Sequence, residues 1–249
     1  MYSHTRSQLT QHDHEFIAQT LGRTDREQAA ILELTHDPTS VTELLHQRRL
    51  FERSMTTPPL FLSISPQLFF YVFIYRALDH KHIADDDVVD YVAGICVEFR
   101  SNHNLWQLAS TSEGKMVYFV DLLNLMATLD RHQQYFLRRH IGNLSLFLTG
   151  FFPDFIFQRC KRQGAPPLEY YESVGRSQYE TAASGSAEFD EDAGPVLESL
   201  ADRFVEVRSA LNVFNDAFLH LNDRKHPLEI IERQAATQDE ATFRSSLDR

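Results

Sequence analysis

The chain has 249 residues, 43% of them hydrophobic and 24% charged, so it can form a large hydrophobic core and is unlike a disordered protein. Its net charge of −11 argues against binding to nucleic acids or to anionic membranes, because both need a basic surface. Nine glycines and nine prolines are few for the turns of an all-β protein, and two cysteines, Cys96 and Cys160, cannot build a disulfide framework or a zinc site.

The two most apolar segments, 60–75 and 144–157, are both interrupted by helix-breaking or charged residues. Pro66 interrupts the first, and Gly150, Pro153 and Asp154 interrupt the second, so neither reaches the roughly 18 apolar residues that a transmembrane helix requires. The first residues also lack the apolar stretch of a signal peptide. We therefore predict a cytoplasmic protein without a membrane span.

Residues 1–57 are predicted to form an N-terminal helical extension of short amphipathic helices. Thr39 or Ser40 can cap one of these helices, with Glu43 placed to complete a capping box, and we expect that helix to run to about Arg53.

Two Glu-x-x-His pairs in this region, Glu33 with His36 and Glu43 with His46, have the spacing by which helices ligate a di-iron centre. However, Asp37-Pro38 directly follows His36, and a helix should end there. We therefore predict no metal site and no cofactor, and a di-metal oxidoreductase is a minor alternative.

The middle of the chain carries three strong helix signals. Ser65-Pro66 starts a helix over 67–78 that is apolar all round and is therefore predicted to be buried. Three aspartates, 85–87, open the next helix, where we expect them to cap free N–H groups rather than to bind a metal ion. A helix over 116–129 has one narrow polar stripe, which is either a strip facing water, as we favour, or a polar seam inside the core.

Small residues mark the next region as a place of close helix packing. Gly142, Ser145 and Thr149 share one face of a helix, so a neighbouring helix can approach closely. The Gly150–Asp154 segment predicts a break between two helices. Further on, Gly175 lies midway between Tyr171 and Tyr179 at a spacing of four residues, which predicts a glycine notch on one helix face.

A candidate ligand pocket in this region combines basic and aromatic side chains. If the two halves of the region pack together, the pocket residues are Arg138, Arg139, His140, Tyr170, Tyr171 and Tyr179. The alternative, which we favour, is that the arginines lie on a solvated face and that the tyrosines cover the core with their hydroxyls near water. No nucleophile elbow, phosphate loop, dinucleotide fingerprint or zinc-protease motif is present, so no catalytic residue is assigned.

The run His-Ile-Gly-Asn-Leu-Ser-Leu-Phe-Leu-Thr-Gly-Phe-Phe-Pro-Asp over 140–154, followed by Tyr-Tyr-x-x-x-Gly-x-x-x-Tyr over 170–179, resembles an uncharacterised bacterial all-α protein family. That family shares a Gly-x-x-x-Leu-Phe-x-x-Gly-Phe-Phe segment and, further on, a Tyr-Tyr-x-x-x-Gly-x-x-x-Tyr segment. The likeness covers residues 65–215. It implies a shared helical domain, and it implies no activity, cofactor or catalytic residue.

The C-terminal part shows the clearest periodicity. Residues 184–195 are small and acidic and are predicted to form a flexible loop. Beyond this loop, apolar residues at alternating spacings of three and four predict one long helix of about 38 Å. The residues of this seam are Leu197, Leu200, Phe204, Val207, Leu211, Phe214, Phe218 and Leu221. Either a helix of the same bundle covers the seam, as we favour, or a second copy of the chain covers it.

The sequence thus predicts an all-α protein with a helical bundle over 1–183, an acidic loop over 184–195, and a long heptad-spaced helix with a polar tail over 196–249. For its function, we expect action through helix-face contacts, as a homodimer or with another protein, and no nucleic-acid partner. The alternative is a helical enzyme or ligand-binding protein with an aromatic pocket around 138–179.

Overall fold

The computed structural model describes residues 5–56, 64–101 and 119–219, and this part of the chain is helical without any β-strand. The predicted all-α, multi-helix fold is therefore confirmed. The chain divides into two compact units, of which the first includes residues 3–97 and the second includes residues 98–225. None of the described helices is both long and apolar enough to cross a membrane.

Among the described residues of the first part of the chain there are six helices, and the last of them continues past residue 97. They are α1 (Gln11–Leu21), α2 (Asp25–Leu34), α3 (Pro38–Leu45), α4 (Arg48–Thr56), α5 (Pro66–Asp79) and α6 (Asp86–Ser101), and a 3₁₀ turn (Thr5–Gln8) precedes them.

Helix α5 provides much of the core of the first unit. As predicted, it begins after a Ser65 cap with Pro66 in its first turn, and residues on all of its sides are buried. Asp13 of α1 is fully buried near the start of α5, where its carboxylate accepts hydrogen bonds from the backbone N–H groups of Thr10 at 2.7 Å and Ser65 at 2.7 Å. This carboxylate therefore fixes α1 to α5.

The cap of α3 differs from the prediction. Asp37, not Thr39 or Ser40, caps the helix, and its carboxylate accepts a hydrogen bond from the backbone N–H of Ser40 at 2.8 Å. Pro38 takes the first helical position, where its missing N–H costs nothing. Helix α3 also ends at Leu45 rather than near Arg53, and α4 begins at Arg48 as a separate helix.

The second unit contains the remaining described helices. They are α7 (Phe119–Met126), α8 (Arg131–Phe151), α9 (Pro153–Gln163), α10 (Leu168–Phe189), α11 (Gly194–Asp202) and α12 (Phe204–Phe214). Helix α8 packs mainly against α10, and α11 and α12 pack against these two. The polar stripe of α7 faces water, as favoured from the sequence, since Asp121 and Asn124 are exposed, as is Thr128 just after the helix.

The contact between α8 and α10 depends on the predicted small residues. A Cβ atom at Gly142 would lie 2.6 Å from ring atoms of Tyr179, and one at Gly175 would lie 2.6 Å from Cβ of Ser145. The Ser145 hydroxyl donates a hydrogen bond to the backbone oxygen of Tyr171. The prediction of a close helix approach is therefore confirmed.

The predicted breaks also occur. Helix α8 ends at Phe151 and α9 begins at Pro153, so the Gly-Phe-Phe-Pro run joins two helices. Helix α9 ends at Gln163 and is followed by Gly164, whose φ of 63° lies in the left-handed region that favours glycine.

The predicted acidic loop over 184–195 is helical in its first half. Helix α10 continues to Phe189, and only Asp190 and a 3₁₀ turn, Glu191–Ala193, separate it from α11. Packing explains the difference, because Ser186 is buried against Gly194 and the Phe189 ring lies 5.3 Å from the Tyr135 ring. These contacts stabilise a helix that the local composition disfavours.

The predicted long C-terminal helix is divided at Arg203 into α11 and α12, and α12 is followed by a π-helical turn, Asn215–Leu219. Helix α11 packs mainly on α10, whereas α12 packs mainly on α8. A straight helix cannot turn one apolar stripe toward both partners, so the break at Arg203 directs the stripe of α12 toward α8. The seam residues that are buried within the unit are Leu197, Leu200, Phe204, Val207 and Leu211.

Candidate functional site

A cleft of about 890 Å³ opens on the first unit. Its walls come from the 3₁₀ turn, α1, the connection between α2 and α3, α3 itself and the first turn of α6. The described residues that line it are Arg6, Ser7, Leu9, His14, Thr35, His36, Pro38, Thr39, Val41, Thr42, Glu43, His46 and Asp86. Three histidines, one arginine and two carboxylates thus face one space, which is polar but also has apolar walls.

Arg6 closes one side of the cleft and is held in place by α6. Its guanidinium lies 2.9 Å from a carboxylate oxygen of Asp87 and donates to the Thr42 hydroxyl at 3.2 Å. Its backbone N–H donates to the carboxylate of Asp90 at 2.8 Å, and Asp90 is fully buried. Arg6 is therefore already paired.

His46, at the C-terminal end of α3, is held between an aromatic ring and a carboxylate. Its imidazole stacks on Tyr75 with ring centroids 3.7 Å apart, and its Nε2 lies 3.0 Å from Oδ1 of Asp86. Burial lowers the pKa of His46, although Asp86 acts in the opposite direction. The imidazole is therefore mainly neutral at pH 7 and can both donate and accept hydrogen bonds.

His14 and His36 face each other across the cleft. Their ring centroids are 5.3 Å apart and their planes are inclined by 36°. Burial lowers the pKa of His14, and the neighbouring His36 lowers it further. Among the described residues, the buried Nδ1 of His14 has no hydrogen-bond partner.

Tyr71 lies next to the Arg6 side of the cleft. It is fully buried, and the Arg6 guanidinium carbon lies 5.9 Å from its ring centroid. Burial raises the pKa of its hydroxyl, so the phenol is neutral. This hydroxyl, too, has no hydrogen-bond partner in the part of the chain that the structure describes. Buried polar groups normally have hydrogen-bond partners, and these two groups are exceptions.

The cleft includes three of the residues that the sequence singled out for a metal site, namely His36, Glu43 and His46. Glu33 is exposed on α2 and does not line it. Within residues 5–56, 64–101 and 119–219, no three His, Cys, Asp or Glu side chains are arranged to hold a metal ion. The aspartates opening α6 serve partly as a cap, as predicted, since Asp85 accepts hydrogen bonds from the backbone N–H groups of Asp87 and Val88 at 3.1 Å.

The basic residues of the candidate pocket at 138–179 are engaged in contacts within the second unit. Arg138 donates to the side-chain oxygen of Gln178 at 3.0 Å, and Arg139 pairs with Asp190 at 2.8 Å. His140 packs edge-on against Phe99, with ring centroids 5.8 Å apart. The arginines are thus paired rather than solvated.

The tyrosines of that pocket pack between helices. Tyr179 is fully buried and donates to the side-chain oxygen of Asn143 at 3.0 Å, so its hydroxyl does not reach water. Tyr171 is buried as well, and Tyr170 packs edge-on against it at 5.6 Å. In the structure, Tyr171 and Tyr179 of α10 are residues that pack against α8.

The predicted interface residues are mostly covered by the chain itself. Leu197 to Leu211 of the seam are buried within the second unit, and Phe214 is half-buried. The Phe218 side chain and the whole of Leu221 lie outside the described residues. The burial agrees with the favoured alternative, in which helices of the same bundle cover the seam.

No protein-family model, curated protein or solved structure matches the chain. The resemblance to a bacterial all-α family therefore stays a prediction.

Proposed function

We propose that the protein binds a small polar molecule in the cleft of its first unit. The observation that carries this proposal is the cleft itself, about 890 Å³ in volume with three histidines and two carboxylates on its walls. Small-molecule sites are usually clefts of about 300–1,000 Å³ that combine apolar walls with a few convergent polar groups. The volume and the lining both fit this description.

The charges of the cleft indicate which molecules it prefers. Arg6 is the sole arginine or lysine among the described residues that line it, and Asp87 and Asp90 already neutralise its charge. Glu43 is exposed and Asp86 is half-buried, so both carboxylates can accept hydrogen bonds. The preferred molecule therefore carries N–H or O–H donors, and the neutral His46 imidazole can bind either its donors or its acceptors.

Native mass spectrometry of freshly purified protein tests this proposal. We expect a retained molecule that leaves under denaturing conditions. Thr39→Trp places a large side chain on the exposed cleft wall, so it should abolish retention. The matched control is Thr56→Trp, at another exposed threonine, which lies on α4 outside the cleft and should retain the molecule. Equal retention by both variants would contradict the proposal.

A second candidate function is self-association of the second unit. On α12, Val205 and Val213 are 50% and 45% exposed, on the side opposite the buried residues Phe204, Val207 and Leu211. Larger exposed apolar patches mark protein–protein interaction sites, and these two valines supply apolar surface on one side of α12. Light scattering should then give a dimer mass that the double variant Val205→Lys, Val213→Lys reduces to a monomer. A monomer at micromolar concentration for the unchanged protein would remove this candidate.

A further inference from the structure

The distance between His14 and His36 fits shared coordination of one metal ion. Two imidazoles that bind a tetrahedral metal at about 2.0–2.1 Å hold their ring centroids roughly 5 Å apart. The observed separation of 5.3 Å matches this value. The two rings come from different elements, α1 and the connection between α2 and α3, so local helix geometry does not impose this distance.

A second observation points to an ion or molecule at the same place. Nδ1 of His14 is buried and, in the described part of the chain, has no hydrogen-bond partner. An imidazole nitrogen without a partner is costly when it is buried, unless a bound group completes it. Both histidines line the cleft.

The electrostatics of the cleft favour a cation. Glu43 and Asp86 supply negative charge, while the charge of Arg6 is compensated by two aspartates.

We propose that His14 and His36 bind one divalent transition-metal ion of the zinc class, and that water or the polar molecule of the cleft fills the other coordination positions. Neutral imidazoles bind zinc, copper and nickel in preference to magnesium and calcium. With two protein ligands the site is open and exchangeable, unlike a closed structural site. This inference rests on the proposed binding function, because it assigns a ligand to the same cleft.

Titration calorimetry with zinc chloride and metal-free, full-length protein tests the site. We expect one zinc ion per chain, and a loss in affinity of roughly tenfold or more for His14→Ala and for His36→Ala. The control is His12→Ala, since His12 is also on α1 but is half-exposed next to Glu15 and does not line the cleft. Circular dichroism confirms that each variant is folded, and the exposed His36 can be replaced with little risk to the fold.

Absence of zinc binding by the unchanged protein, or equal affinity in the His36→Ala variant, would overturn the metal site. The Thr39→Trp comparison separates this result from failure of the binding function. A molecule that is retained by the unchanged protein and lost in Thr39→Trp, without any zinc binding, would overturn the metal site alone. If neither zinc nor any molecule is bound, both proposals fail.

Discussion

Gly142 and Gly185 lie on the two most closely packed helices of the second unit, but their surroundings differ. A Cβ atom at Gly142 would lie 2.6 Å from the ring of Tyr179, which is fully buried and cannot move freely. A Cβ atom at Gly185 would find its nearest atom, in the Tyr135 ring, at 3.9 Å. Only the first glycine is required by contact between helices.

We expect Gly142→Ala to lower the free energy of unfolding by about 1–3 kcal/mol, because the added methyl group overpacks the contact between α8 and α10. Gly185→Ala should instead raise it by up to about 1 kcal/mol, since alanine favours the helix and the added methyl group makes only an ordinary van der Waals contact. Urea denaturation measures both values. A Gly142→Ala protein as stable as the unchanged one would contradict the close approach.

His140 makes the stability of the second unit depend on pH. Burial lowers its pKa below the ordinary value of 6.5, and Glu98 offsets part of this effect. The unfolded chain therefore takes up a proton near pH 6.5, while the folded chain does so only at lower pH. As pH falls below about 6.5, this residue lowers the free energy of unfolding, and the loss is complete once pH passes the folded pKa.

We expect His140→Leu to reduce the loss of stability between pH 7 and pH 5, because the unfolded variant has one proton fewer to gain. Leucine also keeps an apolar contact with Phe99. Urea denaturation at both pH values gives the difference for each protein. The same difference in the variant and in the unchanged protein would show that His140 does not contribute.

At the scale of elements, the C-terminal end of α8 is completed by side chains that follow much later in the chain. The Asn212 amide donates to the backbone oxygens of Thr149 at 2.9 Å and Gly150 at 2.6 Å. The Asn215 amide donates to the backbone oxygen of Phe151 at 2.9 Å, and Asn215 is fully buried. The last carbonyls of a helix have no partner within it, so these amides satisfy them.

We expect Asn215→Ala to lower the free energy of unfolding by about 1–3 kcal/mol, because the Phe151 carbonyl is left buried without its partner. The control is Asn124→Ala on α7, where the side chain is exposed and a change within about 0.5 kcal/mol is expected. Chemical denaturation of the three proteins makes the comparison. Equal stability of the two variants would contradict the capping role.

The elements that the sequence predicted correctly are those with strong local signals. Helix α5 has a serine cap, a proline in its first turn and apolar residues on all sides, and the break before Pro153 has its glycine and proline. The acidic loop and the unbroken C-terminal helix differ from the structure because tertiary packing decides there. Ser186 is helical because it packs on Gly194. The C-terminal helix is interrupted at Arg203 because α11 and α12 have different partners.

The sequence does not predict the candidate cleft as a site, although it singles out some of the residues that line it. His14, His36 and His46 lie on different elements, and no short motif joins them. The Glu-x-x-His spacing points to His36 and His46, but as ligands of a metal site built from helices. By contrast, Tyr171 and Tyr179 were grouped by their spacing on one helix, and that spacing instead serves to pack α10 on α8.

At the scale of the whole molecule, helices of the same chain bury the seam residues from Leu197 to Leu211. Phe204 is 1% exposed and lies next to Tyr179, with ring centroids 6.1 Å apart. The side chains that a dimer through this part of the seam would need are thus already covered.

We expect Phe204→Ala to lower the free energy of unfolding by about 3–5 kcal/mol without changing the molecular mass in solution, because it creates a cavity inside the unit. Glu206→Ala, an exposed position on the same helix, is the control. Thermal unfolding at several protein concentrations, together with light scattering, measures both properties. A melting temperature that rises with protein concentration in the unchanged protein, but not in Phe204→Ala, would indicate that the seam lies between two chains.

The amides of Asn212 and Asn215, which complete the end of α8, are synthesised long after the carbonyls that they bind. They lie 62 to 64 residues beyond the carbonyls that they bind. At about 5–20 residues per second, a ribosome needs roughly 3–13 s to add that length of chain. During this interval the last carbonyls of α8 are without these partners, and the bond to Phe151 forms only after Asn215 has been added.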